Sequence, residues 1–382
     1  MSQYRYNFPT EIHFGAGVRT KVLENFKSRG LKRPLVVTDK GLADLPVLRE
    51  FVDLLKKGGL EPQVFSGIWG NPVKSQVTAG VAAYRDARAD SMIGFGGGAA
   101  LDVAKAILLM VNHPGDLFDY EDDKPGALPV DREIPHWVAL PTTAGTGSEV
   151  GRSAVVSDDV THVKKIIFSP RLLAKAVFAD PELTLALPAN ITAWTGMDAL
   201  THCVEAFLAR GHHPIADGIA LEGLRLAAGA LEKAVKEPTN LQARGDMLMA
   251  SMMGAIAFQK GLGITHSCAH ALSTVSDLHH GYANAVMIDH ALAWNTSAVP
   301  ERFVRMAETV GLQGAEKSPE GFLRWLGRLK KAVGIPAGLA GAKVAADRIP
   351  KLVEIAIVDA CHPSNPRTCT RETFEQVFQS AL

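Results

Sequence analysis

A chain of 382 residues that is 47% apolar and 21% charged is long enough for two separate hydrophobic cores, and its forty basic and forty acidic side chains cancel. That neutral balance argues against nucleic acid or an anionic membrane surface as a partner. The opening MSQYRYNFPTEIHFG lacks the apolar core of a leader, no apolar run reaches membrane-spanning length, and Cys203, Cys268, Cys361 and Cys369 show no CxxC spacing, so a cytoplasmic protein with reduced thiols is expected.

The first half alternates short β-rich runs with helical stretches. PLVVTD (34–39), PQVF (62–65) and SMIGF (91–95) are separated by helical patterns at about 45–57 and 74–87; HWVALP (136–141), SAVVS (153–157) and AVFAD (176–180) follow. This rhythm predicts a parallel α/β sheet. From about residue 189 onward the chain reads as amphipathic or wholly apolar helices separated by Gly, Pro and Asn. The change of texture places a boundary within PELTLALPAN (181–190). It predicts an α/β domain over 1–185 and an all-helical domain over 186–382, with a ligand in the cleft between them.

SMIGFGGGAALDVAKAILLM (91–110) reads as a buried strand, three glycines and a new helix. Gly96, Gly97 and Gly98 permit a tight turn and close backbone approach, and the free N–H groups that open a helix favour an anion such as a pyrophosphate. The spacing departs from the G-x-G-x-x-G fingerprint, so the turn taken alone equally suits a plain connection. Another strand ends in PTTAGTGSEV (141–150), where Thr142, Thr143, Thr146 and Ser148 offer hydroxyls to phosphate or ribose oxygens, with Lys164 or Lys165 downstream. Asp39, at the end of the first strand, suits a ribose 2′-hydroxyl and favours NAD over NADP. A turn-closing role for Asp39 and the neighbouring Lys40 weigh against that preference.

In TGMDALTHCVEAF (195–207) Asp198 and His202 stand four residues apart, on one helix face. Around them the helix is apolar (Trp194, Met197, Leu200, Val204, Phe207), where an unpaired carboxylate is costly and a bound cation removes the cost. GLGITHSCAHALSTVSDLHHG (261–281) supplies His266 and one of His279 and His280, completing one carboxylate oxygen and three imidazole nitrogens. Such a set suits a borderline divalent ion, Fe(II) first, with Zn(II), Mn(II), Co(II) and Ni(II) admissible. Each histidine alone reads as an ordinary core or surface group; the grouping points to metal. Cys203, Cys268 and the Met-rich run 247–258 read as core.

Together these motifs resemble the iron-containing, or group III, alcohol dehydrogenases over essentially the whole chain. GGGAALD (96–102) is similar to the family's GGGSxxD element and PTTAGTGSEV is close to the family pattern. TGMDALTHCVEAF, and GLGITHSCAH through LHHGYANAV (261–286), resemble its two metal-binding signatures. The resemblance implies a dehydroquinate synthase-like architecture: an α/β dinucleotide-binding domain with a parallel sheet, then an all-α domain carrying metal and substrate. It implies Asp198, His202, His266 and His280 as ligands, His280 being preferred because the family's last ligand directly precedes a glycine, here Gly281. Cofactor contacts carry over to Asp39, Asn71, Gly97, Gly98, Thr142, Thr143 and Lys164. Three departures stand out: Ala99 replaces a usual serine, His270 is followed by Ala271 where an HxxG stretch is common, and Arg152 occupies a position that varies.

The activity so implied is hydride transfer between a primary alcohol and NAD, with the ion as Lewis acid. His270, one turn after His266, is a candidate relay for the alcohol proton. LHHG, GIPAGL and DACHPSNPRT resemble members that act on 4-hydroxybutyrate, and a hydroxy acid needs a cation at the far end of its pocket. Arg152, His362 and Arg367 are candidates beside their ordinary surface roles. Small alcohols and diols fit the same chemistry. Alternatives are a glycerol dehydrogenase or dehydroquinate synthase-like enzyme of the same fold and, remotely, a non-catalytic nucleotide or metal sensor. A homo-oligomer is implied.

Overall fold

PLVV, SMIGFG, WVALP and AVFA are buried at every position, the pattern of strands covered on both faces, and they form the middle of a six-stranded parallel sheet. The computed structural model describes residues 8, 10–122 and 124–382, so residues 1–7 of the polar opening stretch lie outside the described residues. Two units divide the chain: residues up to Thr143 with Gly147–Thr184, and Ala144–Thr146 with Leu185–Leu382.

In the first unit the strands are β1 (Glu11–Phe14), β2 (Pro34–Val37), β3 (Gln63–Phe65), β4 (Ser91–Gly96), β5 (Trp137–Pro141), β6 (Ser153–Ser157), β7 (Lys164–Phe168) and β8 (Ala176–Ala179). The sheet order is β1-β8-β5-β4-β2-β3. Helices α1 (Val22–Lys27), α2 (Pro46–Lys57), α3 (Lys74–Asp86) and α4 (Gly98–Asn112) connect or cover them. In α2, Leu48, Phe51, Val52 and Leu55 recur at helical spacing and are buried; Phe51 stacks on Phe95 at 5.1 Å in a core with Val36, Ile93, Val138 and Phe178. The chain moves from β2 outward to β3 and from β4 the other way to β5. The order therefore reverses between β2 and β4, the place where open α/β sheets leave a crevice at their carboxyl ends.

SAVVS, which the alternating rhythm adds to the parallel sheet, instead pairs antiparallel with β7 in a separate ribbon. Only residues 158–163 join the two strands, a loop that closes a hairpin but is too short for a parallel crossover. β1 is a four-residue edge strand paired to β8; its Ile12 and Phe14 alternate with polar residues, but it is short and none of its positions is buried, so its signal is weak.

The second unit opens with α5 (Ala189–Leu208), α6 (Pro214–Lys236), α7 (Leu241–Ala257), α8 (Ile264–Ser276) and α9 (His280–Asn295), followed by further helices between Pro300 and Ser380. Every residue of α5 from Thr195 to Leu208 is buried, with α6, α7 and α9 packed around it. Asp198 and His202 thus lie in the middle of an apolar core. Met247 and Met252 of α7 are buried there too, as core residues. No single helix among the described residues is long and apolar enough to cross a membrane.

Candidate metal centre and nucleotide site

Four side chains from three helices of the second unit converge. Asp198 and His202 project from one face of α5, His266 from the first turn of α8, and His280 from the first residue of α9; their ligand atoms all lie within 4.8 Å of one another. Asp198 Oδ1 is 3.9, 3.8 and 3.5 Å from the Nε2 atoms of His202, His266 and His280. These separations are too long for good hydrogen bonds. They approach the edge of a tetrahedron whose centre binds each corner at about 2.1 Å, an edge of about 3.4 Å. His279 turns elsewhere and packs its ring on Trp194 at 5.3 Å.

The buried Asn284, one turn into α9 from His280, offers one NH2 group to Asp198 Oδ1 (2.7 Å), His266 Nε2 (3.3 Å) and His280 Nε2 (3.2 Å), while its own Oδ1 has no hydrogen-bond partner. Lone pairs converging on one point, with Asp198, His266 and His280 sharing one amide group, fit a divalent cation. Burial is the largest single influence and opposes charge on both members of the adjoining Glu205–His266 pair, yet their 2.7 Å hydrogen bond, their mutual attraction and further neighbours together outweigh it: His266 is raised and Glu205 lowered. Burial pushes His202 down to about 4, which keeps it neutral and suited to ligation. Cys203 is a buried thiol pushed up to about 12 by desolvation, inert as a ligand.

His270 stacks on His280, centroids 5.2 Å apart, and donates Nδ1–H to Asp359 Oδ2 at 2.7 Å. Ser267 Oγ and the Cys361 amide also donate to Asp359. Burial opposes the Asp359 charge, but His270 and these donors hold the carboxyl well below the usual range. With Nδ1 committed, His270 Nε2 is the acceptor nitrogen. His270, Asp359 and Cys361 also lie close enough to hold an ion, but the hydrogen bonds already satisfy the histidine–carboxylate pair. Of the three proposed carboxylate anchors, His362 Nε2 bonds the Ile357 carbonyl and Arg367 lies 3.4 Å over the Trp294 ring. Arg152 sits over Phe168 on the β6–β7 ribbon.

In the first unit the ends of β2, β4 and β5 bring Asp39, Gly97, Gly98, Thr142 and Thr143 to the β2–β4 reversal. Gly97 caps α4, and a Cβ on it would lie 3.1 Å from both Thr143 Cγ2 and Oγ1, so only glycine lets the turn approach this threonine freely. Gly98 is the first residue of α4, and the buried Thr142 donates its amide to the Gly96 carbonyl at 3.0 Å. Asp39 does close its turn, accepting from the Leu42 amide at 3.1 Å, while Oδ2 lies 3.5 Å from where a Gly96 Cβ would stand. Burial raises its pKa. Asn71 is half-buried just before α3. Lys165 is committed to Glu121 Oε2 at 2.6 Å; Lys164, its neighbour on β7, points to the opposite face.

Ser148 is a correction. Its hydroxyl, expected to meet phosphate or ribose, donates to Asp102 Oδ1 (2.6 Å) and accepts from Lys105 Nζ (2.7 Å). Lys105, fully buried, also donates to the Ser153 carbonyl at 2.7 Å, and Asp102 Oδ2 accepts from Val155 N. The cluster ties α4 to the GSEV segment. Beside it desolvation pushes the buried Glu149 up to about 7, with Lys105 opposing. Between its ordinary 4.5 and about 7 the folded protein holds a proton that the unfolded chain releases, so stability falls as pH rises through that window. Glu149→Gln is expected to flatten this dependence and to stabilise the protein at pH 8 by on the order of 3 kcal/mol, read from urea unfolding at pH 5 and pH 8. Parallel pH dependence in both proteins would refute it.

The iron-containing alcohol dehydrogenase family matches residues 9–181, and the C-terminal part of the Fe-containing alcohol dehydrogenase family matches residues 192–382. This chain belongs to the iron-containing alcohol dehydrogenase family. It is 37% identical to the 4-hydroxybutyrate dehydrogenase of Cupriavidus necator, covering 98% of each chain, and 34% identical to the NAD-dependent methanol dehydrogenase of Bacillus methanolicus, again over 98% of each. The solved structure of a 1,3-propanediol oxidoreductase superposes with a TM-score of 0.94 at 35% identity over 100% of both chains. As a member, the chain is an NAD-dependent oxidoreductase that interconverts alcohols and aldehydes.

Proposed function

We propose that this dehydrogenase acts on a small primary alcohol, of which 4-hydroxybutyrate and 1,3-propanediol are the leading cases, with Asp198, His202, His266 and His280 holding a divalent ion, Fe(II) first. The observation that carries the reading is the convergence of these four ligand atoms within 4.8 Å, with Asp198, His202 and His266 buried and His280 partly so. When bound, the ion supplies Lewis-acid polarisation of the alcohol or aldehyde oxygen. His270 Nε2, an acceptor because Nδ1–H is given to Asp359, takes the alcohol proton and passes it toward solvent. Asp39, Asn71, Gly97, Gly98, Thr142, Thr143 and Lys164 hold NAD, with Asp39 on the ribose hydroxyls. Resemblance to the hydroxybutyrate enzyme supports a hydroxy acid, and the same reading has the protein as a cytoplasmic homo-oligomer.

The test is anaerobic reconstitution with Fe(II) or Zn(II), followed by NADH formation with ethanol, 1,3-propanediol and 4-hydroxybutyrate. The reading expects kcat/KM for one of the two longer substrates at least about tenfold above ethanol, a difference of about 1.4 kcal/mol at the transition state. Ethanol as the best substrate would overturn the substrate assignment. His270→Ala in the same assay is expected to shift the pH–rate profile.

A further inference from the structure

We infer that Glu205 is a positioning residue for the metal centre: from within the core it fixes the tautomer and direction of His266 and so presents Nε2 to the ion. This rests on the ligand assignment proposed above. Glu205 lies seven residues after Asp198 and three after His202 in α5, and it is 2% exposed.

Four donors meet its carboxylate. Oε2 accepts His266 Nδ1–H at 2.7 Å, the Gly263 amide at 3.1 Å and the His266 amide at 3.3 Å; Oε1 accepts the Thr265 amide at 2.7 Å. The carboxylate thus closes the start of α8, whose first amides have no partner within the helix, and grips the imidazole one residue later. A carboxylate hydrogen-bonded to the far nitrogen of a ligating histidine fixes its tautomer and raises its basicity. Here the same group also sets the backbone from which the ring hangs. A Cβ on Gly263 would stand 2.8 Å from Glu205 Oε1, so the chain at this point is packed directly on the carboxylate.

The arrangement has a sharp chemical consequence. A glutamine has one acceptor oxygen, whereas four donors converge on both carboxylate oxygens. With its NH2 toward His266, glutamine drives the imidazole proton onto Nε2 and blocks ligation. With its NH2 toward Thr265, it leaves that amide facing a donor and loosens the helix start. Either way the ion loses affinity, while the side chain keeps its size.

The experiment titrates Co(II) and Zn(II) into apo full-length protein against a competing chelator, for wild type, Glu205→Gln and Asn365→Ala. Asn365 Oδ1 accepts the Ile264 amide at 3.3 Å, so N365A loosens the same helix start without touching His266. Expected is a 10- to 100-fold weaker Kd for E205Q and an altered Co(II) absorption spectrum, with N365A losing thermal stability but keeping its Kd within about twofold. Equal affinity in E205Q and wild type, or equal losses in E205Q and N365A, overturns the inference. A wild type that binds neither metal instead overturns the ligand assignment. Should E205Q fail to fold, long-range 15N–1H spectra of the Zn(II)-loaded wild type decide: the His266 proton on Nδ1 supports the inference, and on Nε2 overturns it.

Discussion

Asp198→Asn is expected to leave a folded protein that carries no stoichiometric metal and has lost at least about a thousandfold in kcat/KM, roughly 4 kcal/mol of transition-state stabilisation. Asp198 Oδ1 is the one anionic atom among the four and the common neighbour of all three imidazoles. Asparagine keeps the shape, and its oxygen still accepts from Asn284. The sign on stability is the informative part. In the metal-free state the native carboxylate is 2% exposed and accepts a hydrogen bond from Asn284, a neutral donor that does not cancel its charge, so neutralising it relieves a desolvation cost. The apo variant should therefore melt no lower than apo wild type. In wild type, added metal should raise Tm by mass action, and in the variant it should not. Melting curves with and without EDTA, together with metal analysis, check both halves. A variant that still binds one ion per chain and turns over would sink the ligand assignment.

How far the site was legible depends on which spacing carried it. Asp198 with His202, and His266 with His270, stand one helical turn apart, and the helical repeat predicts each pair on one face. The same repeat extends to Glu205, seven residues after Asp198, and to Asn284, four after His280, although neither belongs to the expected set. Their residue types were unremarkable: a glutamate in VEAF reads as a solvated face until its helix is known to be buried on every side. Asp359 had no such signal. It meets His270 from 89 residues away, and nothing short of the fold brings them together. In the first unit the strand–glycine–helix turn and the place of Asp39 just past a strand follow from the pattern as elements of the fold. Ser148 was misread because its hydroxyl hydrogen goes to Asp102 while Lys105, buried where lysine is rarely found, donates to its oxygen. Strand patterns failed where pairing is decided by neighbours: β1 and β7 borrow their order from β8 and β6.

Gly281→Ala is expected to damage the metal centre more than the fold. Gly281 is not at positive φ, so alanine is conformationally acceptable and intrinsically favoured in a helix by about 1 kcal/mol. Space is what forbids it. A Cβ there would lie 2.4 Å from the Trp194 carbonyl oxygen, 2.9 Å from its carbon and 3.3 Å from Asp198 Cβ, all on α5. Two of those atoms are backbone and cannot rotate aside. Nor can α9 slide along, because Trp194 is held between His279 and Tyr282, at 5.3 and 4.9 Å. The first turn of α9 must lift away from α5, and His280, adjacent to the new methyl, moves with it from its 3.5 Å approach to Asp198. Overpacking costs about 1–3 kcal/mol, partly offset by propensity, so the melting point should fall by a few degrees. Metal affinity should fall by more than tenfold because the fourth ligand is displaced outright. Gly229→Ala provides the control: its Cβ would meet nothing within 4 Å at an exposed position of α6, so it should gain up to about 1 kcal/mol and bind metal as wild type does. If G281A bound metal normally while losing stability, close approach of the two helices would be a packing feature alone, and His280 would reach the ion from a more forgiving position than the structure indicates.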